Sequence, residues 1–131
     1  MKRLGQSLLV ALALASAGSC GSDAGTGPVA GVLTVSLALP NTSAVDAILF
    51  RVTGPVAPTS LTAGPGLRAF SQPLTVVTRV AVTGTLTNGA VVTIGVADTR
   101  KRSQYSATIE AVTGPDFQLR SLTGYSLTIS Q

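Results

Sequence analysis

The sequence predicts an all-β fold, an antiparallel β-sandwich of about seven to nine strands, and three observations predict it. From residue 31 onward, apolar and polar residues alternate at period two, the pattern of a strand with one buried face. Gly, Pro and Asn clusters break these runs at spacings of roughly 8 to 15 residues. The composition favours Val, Ala, Leu and Thr over Lys and Glu, which suits a pleated, half-buried surface better than an exposed helix. No segment reads as an α-helix. A small closed barrel would satisfy the same pattern.

Leu33, Val35, Leu37 and Leu39 alternate with Val32, Thr34, Ser36 and Ala38, and this first strand stops at Pro40-Asn41. Ile48, Phe50 and Val52 alternate with Leu49, Arg51 and Thr53 as far as Gly54-Pro55, where proline removes a ladder donor. Residues 56–73 are less regular, with Pro58, Gly64, Pro65 and Gly66 among them. They read as a short edge strand or loop followed by a strand near Leu67 to Ser71. Val76, Thr78, Val80 and Val82 share a face opposite Thr75, Arg79 and Thr83. Asn88-Gly89 follows, a dipeptide that tolerates the positive φ of a hairpin turn, so the strands flanking it are expected to pair. The next strand points Val92, Ile94 and Val96 inward. After a charged loop from Asp98 to Ser103, Tyr105, Ala107, Ile109 and Ala111 alternate with Ser106, Thr108 and Glu110 up to Gly114-Pro115. Phe117 and Leu119, then Tyr125, Leu127 and Ile129, complete the expected core.

Val-Thr-Gly recurs at Val52, Val82 and Val112. The flanks VDAILFRVTGP, TVVTRVAVTGT and YSATIEAVTGP share little beyond a strand ending in a turn glycine, so a solenoid or propeller is not expected.

The 131 residues divide into a leader (residues 1–19), a tether (20–30) and a single sandwich domain (31–131). Such a domain buries roughly 60 to 70% of its unfolded surface, enough for a core without disulfides. Lys2 and Arg3 precede an uncharged apolar stretch from Leu8 to Ala17, the order of a secretory signal and too short to span a bilayer. The stretch ends Ala17-Gly18-Ser19-Cys20. Here the sequence resembles a bacterial lipoprotein signal, whose lipobox places small residues before a cysteine that is acylated and becomes the new N-terminus. That pattern usually has Leu where this chain has Ala17, and Ala15-Ser16-Ala17 offers a rival cut that leaves Cys20 a free thiol. Two features favour lipidation. Cys20 is the only cysteine, and GSDAGTGP behind it is a flexible Gly/Ser-rich tether without core residues. The resemblance implies durable membrane anchoring at the bacterial envelope. With Gly21 after the cysteine, it implies the outer membrane of a two-membrane bacterium.

The formal charge of +4 falls to about +2 once Lys2 and Arg3 leave, too little for a nucleic-acid-binding stripe. The chain has no histidine, which removes the usual general base, Ser-His catalysis and imidazole metal sites. The only lysine after the leader, Lys101, lies in an expected surface loop without the burial that would lower its pKa for a Ser/Lys dyad. Asp23, Asp46, Asp98, Glu110 and Asp116 lack calcium-loop spacing. Asp98 and Asp116 are the pair that would have to converge in a glycosidase, but they read more simply as turn carboxylates capping local backbone. The glycines of GTGPVAG do not fit a dinucleotide loop. No enzyme, cofactor or metal is expected. Arg100, Lys101 and Arg102 form the one charge cluster, a candidate contact for an anionic glycan, lipid headgroup or protein patch. The simpler reading is a solvated turn that guards a sheet edge. Tyr105 and Tyr125 fall in phase with core residues, and without tryptophan no sugar-stacking platform is expected on them.

The opening strand VLTVSLALP, the segment AILFRVTGP, the run RVAVTGTLTNGAVVTIGVAD and the closing YSATIEAVTGPDFQLRSLTGYSLTIS together resemble bacterial extracellular β-sandwich modules, Ig-like or cohesin-like, and related carbohydrate-binding folds. The resemblance covers about a hundred residues and implies the fold alone. The expectation is a non-enzymatic envelope lipoprotein whose sandwich meets an envelope protein or serves a structural role, with a carbohydrate-binding lipoprotein as the alternative.

Overall fold

The computed structural model describes residues 27–40 and 44–131. The expected lipidation site at Cys20 and the Asn41 turn lie outside the described residues. Eight strands form: β1 (Gly31–Ala38), β2 (Val45–Thr53), β3 (Ser60–Ala63), β4 (Arg68–Pro73), β5 (Val77–Leu86), β6 (Gly89–Val96), β7 (Ser106–Thr113) and β8 (Ser126–Ser130). They make two four-stranded antiparallel sheets, β3-β6-β1-β8 and β4-β5-β2-β7, so the predicted sandwich is the fold observed.

The pairing is nested. β4 pairs with β5, β3 with β6, β2 with β7 and β1 with β8, so the chain is a long ribbon doubled back between β4 and β5. β1–β6 and β2–β5 pairings join the ribbon's turns into sheets. Between the sheets lie Leu33, Val35 and Leu37, Ile48, Phe50 and Val52, Val80 and Val82, and Val92, Ile94 and Val96, all buried. Alternation in the sequence assigned each of these inward.

Four expectations are corrected. The strands flanking Asn88-Gly89 do not pair, because β5 and β6 belong to different sheets. The dipeptide makes a corner between sheets instead: Gly89 takes φ 123°, and the Asn88 side chain accepts a hydrogen bond from the Leu39 amide at 2.7 Å. The tight hairpin is the β4–β5 turn, where the Leu74 amide donates to the Val77 carbonyl at 2.8 Å, and Val76 at its tip is exposed. In β7 the register against β2 shifts between Leu49 and Phe50, leaving Glu110 as an extra residue. That bulge flips the phase, so Val112 is buried and Ala111 faces out with Leu49. Phe117 and Leu119 are exposed rather than core. They lie in the loop between β7 and β8, where an isolated bridge joins Leu119 to Thr113.

The expected charged loop from Asp98 to Ser103 holds a 3-10 segment, Thr99–Gln104, kinked at Lys101 and capped by Asp98. It closes the end of the sandwich where Gly31 faces Val96 and Thr53 faces Ser106, here called the tether pole. The far pole is the opposite end, where Val45 meets Leu86 and Ala47 meets Thr113. The three Val-Thr-Gly valines are all buried, but each glycine makes room for a different neighbour: the Tyr105 ring at Gly54, Leu67 at Gly84 and the Arg120 guanidinium at Gly114. No structural repeat stands behind the recurrence.

Candidate functional site

At the tether pole, the chain entering the domain is clamped to the 3-10 segment. The Val29 amide donates to Asp98 Oδ1 at 3.2 Å. The Val29 carbonyl accepts from the Thr99 amide at 2.8 Å and from Thr99 Oγ1 at 3.2 Å. Asp98 also accepts from the Arg100 amide at 3.1 Å and from its guanidinium, Nε to Oδ1 at 3.1 Å and Nη2 to Oδ2 at 3.3 Å. The Arg100 side chain is the largest influence holding the Asp98 carboxyl at about 2; partial burial opposes it, and the Val29 and Arg100 amides assist. Asp98 in turn raises the Arg100 pKa. The predicted cluster therefore divides: Arg100 is committed to Asp98, whereas Lys101 and Arg102 are exposed and make no ion pair among the described residues. Tyr105 is buried at the end of the segment, and burial pushes its hydroxyl pKa up.

Asp98 and Asp116 do not converge. Asp98 sits at the tether pole and Asp116 just past the far end of β7, whose eight residues run roughly 26 Å, several times the spacing of a glycosidase pair. Among the described residues, no cluster of three or more metal-ligating side chains forms.

The outer face of β4-β5-β2-β7 assembles residues that no local motif singled out. Register aligns Phe70, Ala81, Leu49 and Ala111 in one row across all four strands. The next row toward the tether pole holds Gln72, Arg79, Arg51 and Thr108. The bulged Glu110 reaches from β7 toward Arg79 and Arg51, at 3.6 and 4.0 Å. Phe70 is 57% exposed and walls a shallow depression of about 310 Å³ with Leu49, Gln72, Arg79 and Ala81. On the far side of the apolar row, Phe117 stands beside a second depression of about 350 Å³ lined by Asp46, Ala47, Thr83, Gly84, Thr85 and Thr113.

Phe117 is 84% exposed at φ 60°, a conformation that costs a bulky residue free energy. Its turn holds it there. The Phe117 amide donates to the Gly114 carbonyl at 3.0 Å, the Gln118 amide to Asp116 Oδ1 at 3.2 Å and the Arg120 amide to the Val112 carbonyl at 2.9 Å. A strained, exposed aromatic held by a hydrogen-bonded turn points toward recognition.

A smaller recess of about 170 Å³ opens between the sheets at β3 and β4, lined by Ser60, Ser71 and Thr78 over Val80 and Ile94. Thr78 Oγ1 is buried there without a hydrogen-bond partner among the described residues, a place suited to ordered water.

Sequence alternation had already turned Leu49 and Arg51 outward. Phe70 joins them only once β4 is set against β5, and the place of Phe117 depends on a turn that no residue preference announces. Compared with protein-family models, with curated proteins and with solved structures, the chain has no match.

Proposed function

We propose that this chain is a non-enzymatic interaction module, tethered to the bacterial envelope through acylated Cys20, which grips an envelope protein with the outer face of β4-β5-β2-β7. The observation that carries the reading is Phe117, an aromatic held exposed at φ 60° at one side of an apolar row that begins with the exposed Phe70. An apolar centre beside a charged row, Arg51-Glu110-Arg79, matches the anatomy of protein interfaces, in which aromatic anchors supply most of the energy and a polar rim excludes water. The face measures roughly 20 by 25 Å, from four strands about 4.8 Å apart and eight residues long, which suits a small, transient interface. The side-chain inventory supports binding over catalysis: the chain has no histidine, and Asp98 and Glu110 are each engaged by arginine.

The test uses Phe70→Ser and Phe117→Asn, with Val32→Ser on the outer face of the other sheet as control. Both face variants are expected to lose crosslinking to a single envelope protein that the control retains. Because asparagine tolerates φ > 0, Phe117→Asn is also expected to raise stability by about 1 kcal/mol while binding falls, separating recognition from folding. Face variants that crosslink like the parent chain would overturn the reading. For the tether, Cys20→Ala is expected to release the chain from membranes and remove the acyl mass.

A second reading has one observation in its favour. The depression beside Phe117 combines an aromatic wall with the Asp46 carboxylate and the hydroxyls of Thr83, Thr85 and Thr113, a lining able to hold a sugar ring. Glycan binding that disappears in Asp46→Asn would favour a carbohydrate-binding lipoprotein instead.

A further inference from the structure

We infer that the tether pole is a membrane-docking end, which seats on anionic lipid headgroups and holds the domain upright on the bilayer. The inference rests on the lipoprotein reading and adds an orientation to it.

Charge is divided unequally along the long axis. The tether half carries five basic side chains, Arg51, Arg79, Arg100, Lys101 and Arg102, against Asp98 and Glu110; in the far half Arg68 and Arg120 balance Asp46 and Asp116. The tether half is thus +3 and the far half neutral in side-chain charge.

Exposed aliphatic residues share the tether pole. Leu74, at the β4–β5 hairpin, is 52% exposed, and Val76, Val56 and Val29 are each about half exposed. These tips form one platform with the basic segment. The Gly54 amide donates to the Val76 carbonyl at 3.3 Å, the Tyr105 ring packs over Gly54, and the Tyr105 amide donates to the Arg102 carbonyl at 3.0 Å. The clamp on Val29 brings the incoming chain to the same platform.

Aliphatic tips beside the exposed Lys101 and Arg102 are what an interfacial surface requires, the first for the headgroup boundary and the second for the phosphates. The nine residue-to-residue steps from Cys20 to Val29 reach at most roughly 30 Å, about the length of the sandwich. The tether alone therefore lets any face touch the bilayer, and charge selects which one does. The net positive side-chain charge favours the tether pole over the far pole at low salt. The far pole, with Phe117 beside the outer face, is then directed away from the membrane toward a partner.

The test takes the full chain, processed in cells, purified in detergent and reconstituted into vesicles of phosphatidylcholine with or without phosphatidylglycerol. A fluorophore on Gln104→Cys reports the tether pole and one on Ser121→Cys the far pole, each read by energy transfer to labelled headgroups. On phosphatidylglycerol the Gln104→Cys probe is expected to lie closer to the bilayer than the Ser121→Cys probe by about a strand length, roughly 25 Å. The difference should collapse in phosphatidylcholine, in high salt, and in a Lys101→Glu, Arg102→Glu chain, whose tether half falls from +3 to −1. Leu74→Ser with Val76→Ser should weaken it without reversing it. Equal transfer from both probes, or a difference indifferent to lipid charge and to the reversal, overturns the inference even if the chain is tethered. A Cys20→Ala chain that stays membrane-bound and unshifted in mass overturns the lipoprotein reading itself, and this inference with it, by a separate readout.

Discussion

Asp98 shows how one side chain can be structurally decisive and still imitate a functional motif. In the sequence it opens a charged run that invites a catalytic or anion-binding reading. In the fold its carboxylate collects the Val29 amide, the Arg100 amide and the Arg100 guanidinium, uniting a cap, an ion pair and a clamp on the entering chain. Its folded pKa of about 2 lies below the roughly 3.9 of an unfolded aspartate. The stabilisation is therefore complete above about pH 4 and fades as pH falls from 4 toward 2. The urea midpoint of the parent chain is expected to drop across that window. Asp98→Asn should start lower at neutral pH and lose less there, with the Val29 amide exchanging faster. Parallel pH profiles for the two chains would show that the clamp does not hold the domain's edge. The other carboxylates titrate in both chains, so the difference between profiles isolates Asp98.

At the scale of elements, what was legible in the sequence followed from what each signal measures. Period-two alternation measures burial, and it assigned the inward faces of β1, β2, β5 and β6 correctly, because those faces meet across one apolar interior. Turn chemistry measures only local backbone need. Asn88-Gly89 satisfied the positive φ of Gly89, 123°, without specifying which sheet the next strand joins. The hairpin that does pair neighbours, at Thr75-Val76, places neither residue at positive φ, so it carried no Gly or Asn to reveal it. The β7 bulge hid Val112 by shifting phase within a strand. The candidate face was the least legible feature, since Phe70, Ala81, Leu49 and Ala111 become a row only through register across four strands. The corner is testable on these terms. Asn88→Ala removes the bond to the Leu39 amide and should cost about 1 kcal/mol, or roughly 4 to 8 °C for a domain this size. Gly89→Ala should cost at least as much, because φ 123° is closed to a side chain. Thr75→Ala, at the hairpin that lacks the motif, should lie within about 0.5 kcal/mol of the parent. A large loss at Thr75 with none at Gly89 would mean that the hairpin, not the corner, imposes the backbone constraint.

Over the whole molecule, the nested pairing ties folding order to topology. Bringing β1 directly to β8 closes a loop of about 90 residues, which costs about 3 kcal/mol more than closing the β4–β5 turn. If β4 and β5 pair first, β3 and β6 are then held near each other, and each added layer shortens the loop that the next must close. The ribbon should therefore zip from its doubled end outward. Because most of its pairings remain distant in sequence, it should refold over milliseconds to seconds. Val80, fully buried in β5, belongs to the inner ribbon, whereas Ile129 packs the core from β8, the last strand to gain a partner. Val80→Ala is expected to slow refolding, with a φ-value of about 0.5 to 0.8. Ile129→Ala should mainly speed unfolding, with a φ-value below about 0.3. Stopped-flow chevrons on the two variants decide the matter. A high φ-value at Ile129 with a low one at Val80 would mean that the chain's ends nucleate the fold and that the nested pairing records the final structure without recording its assembly.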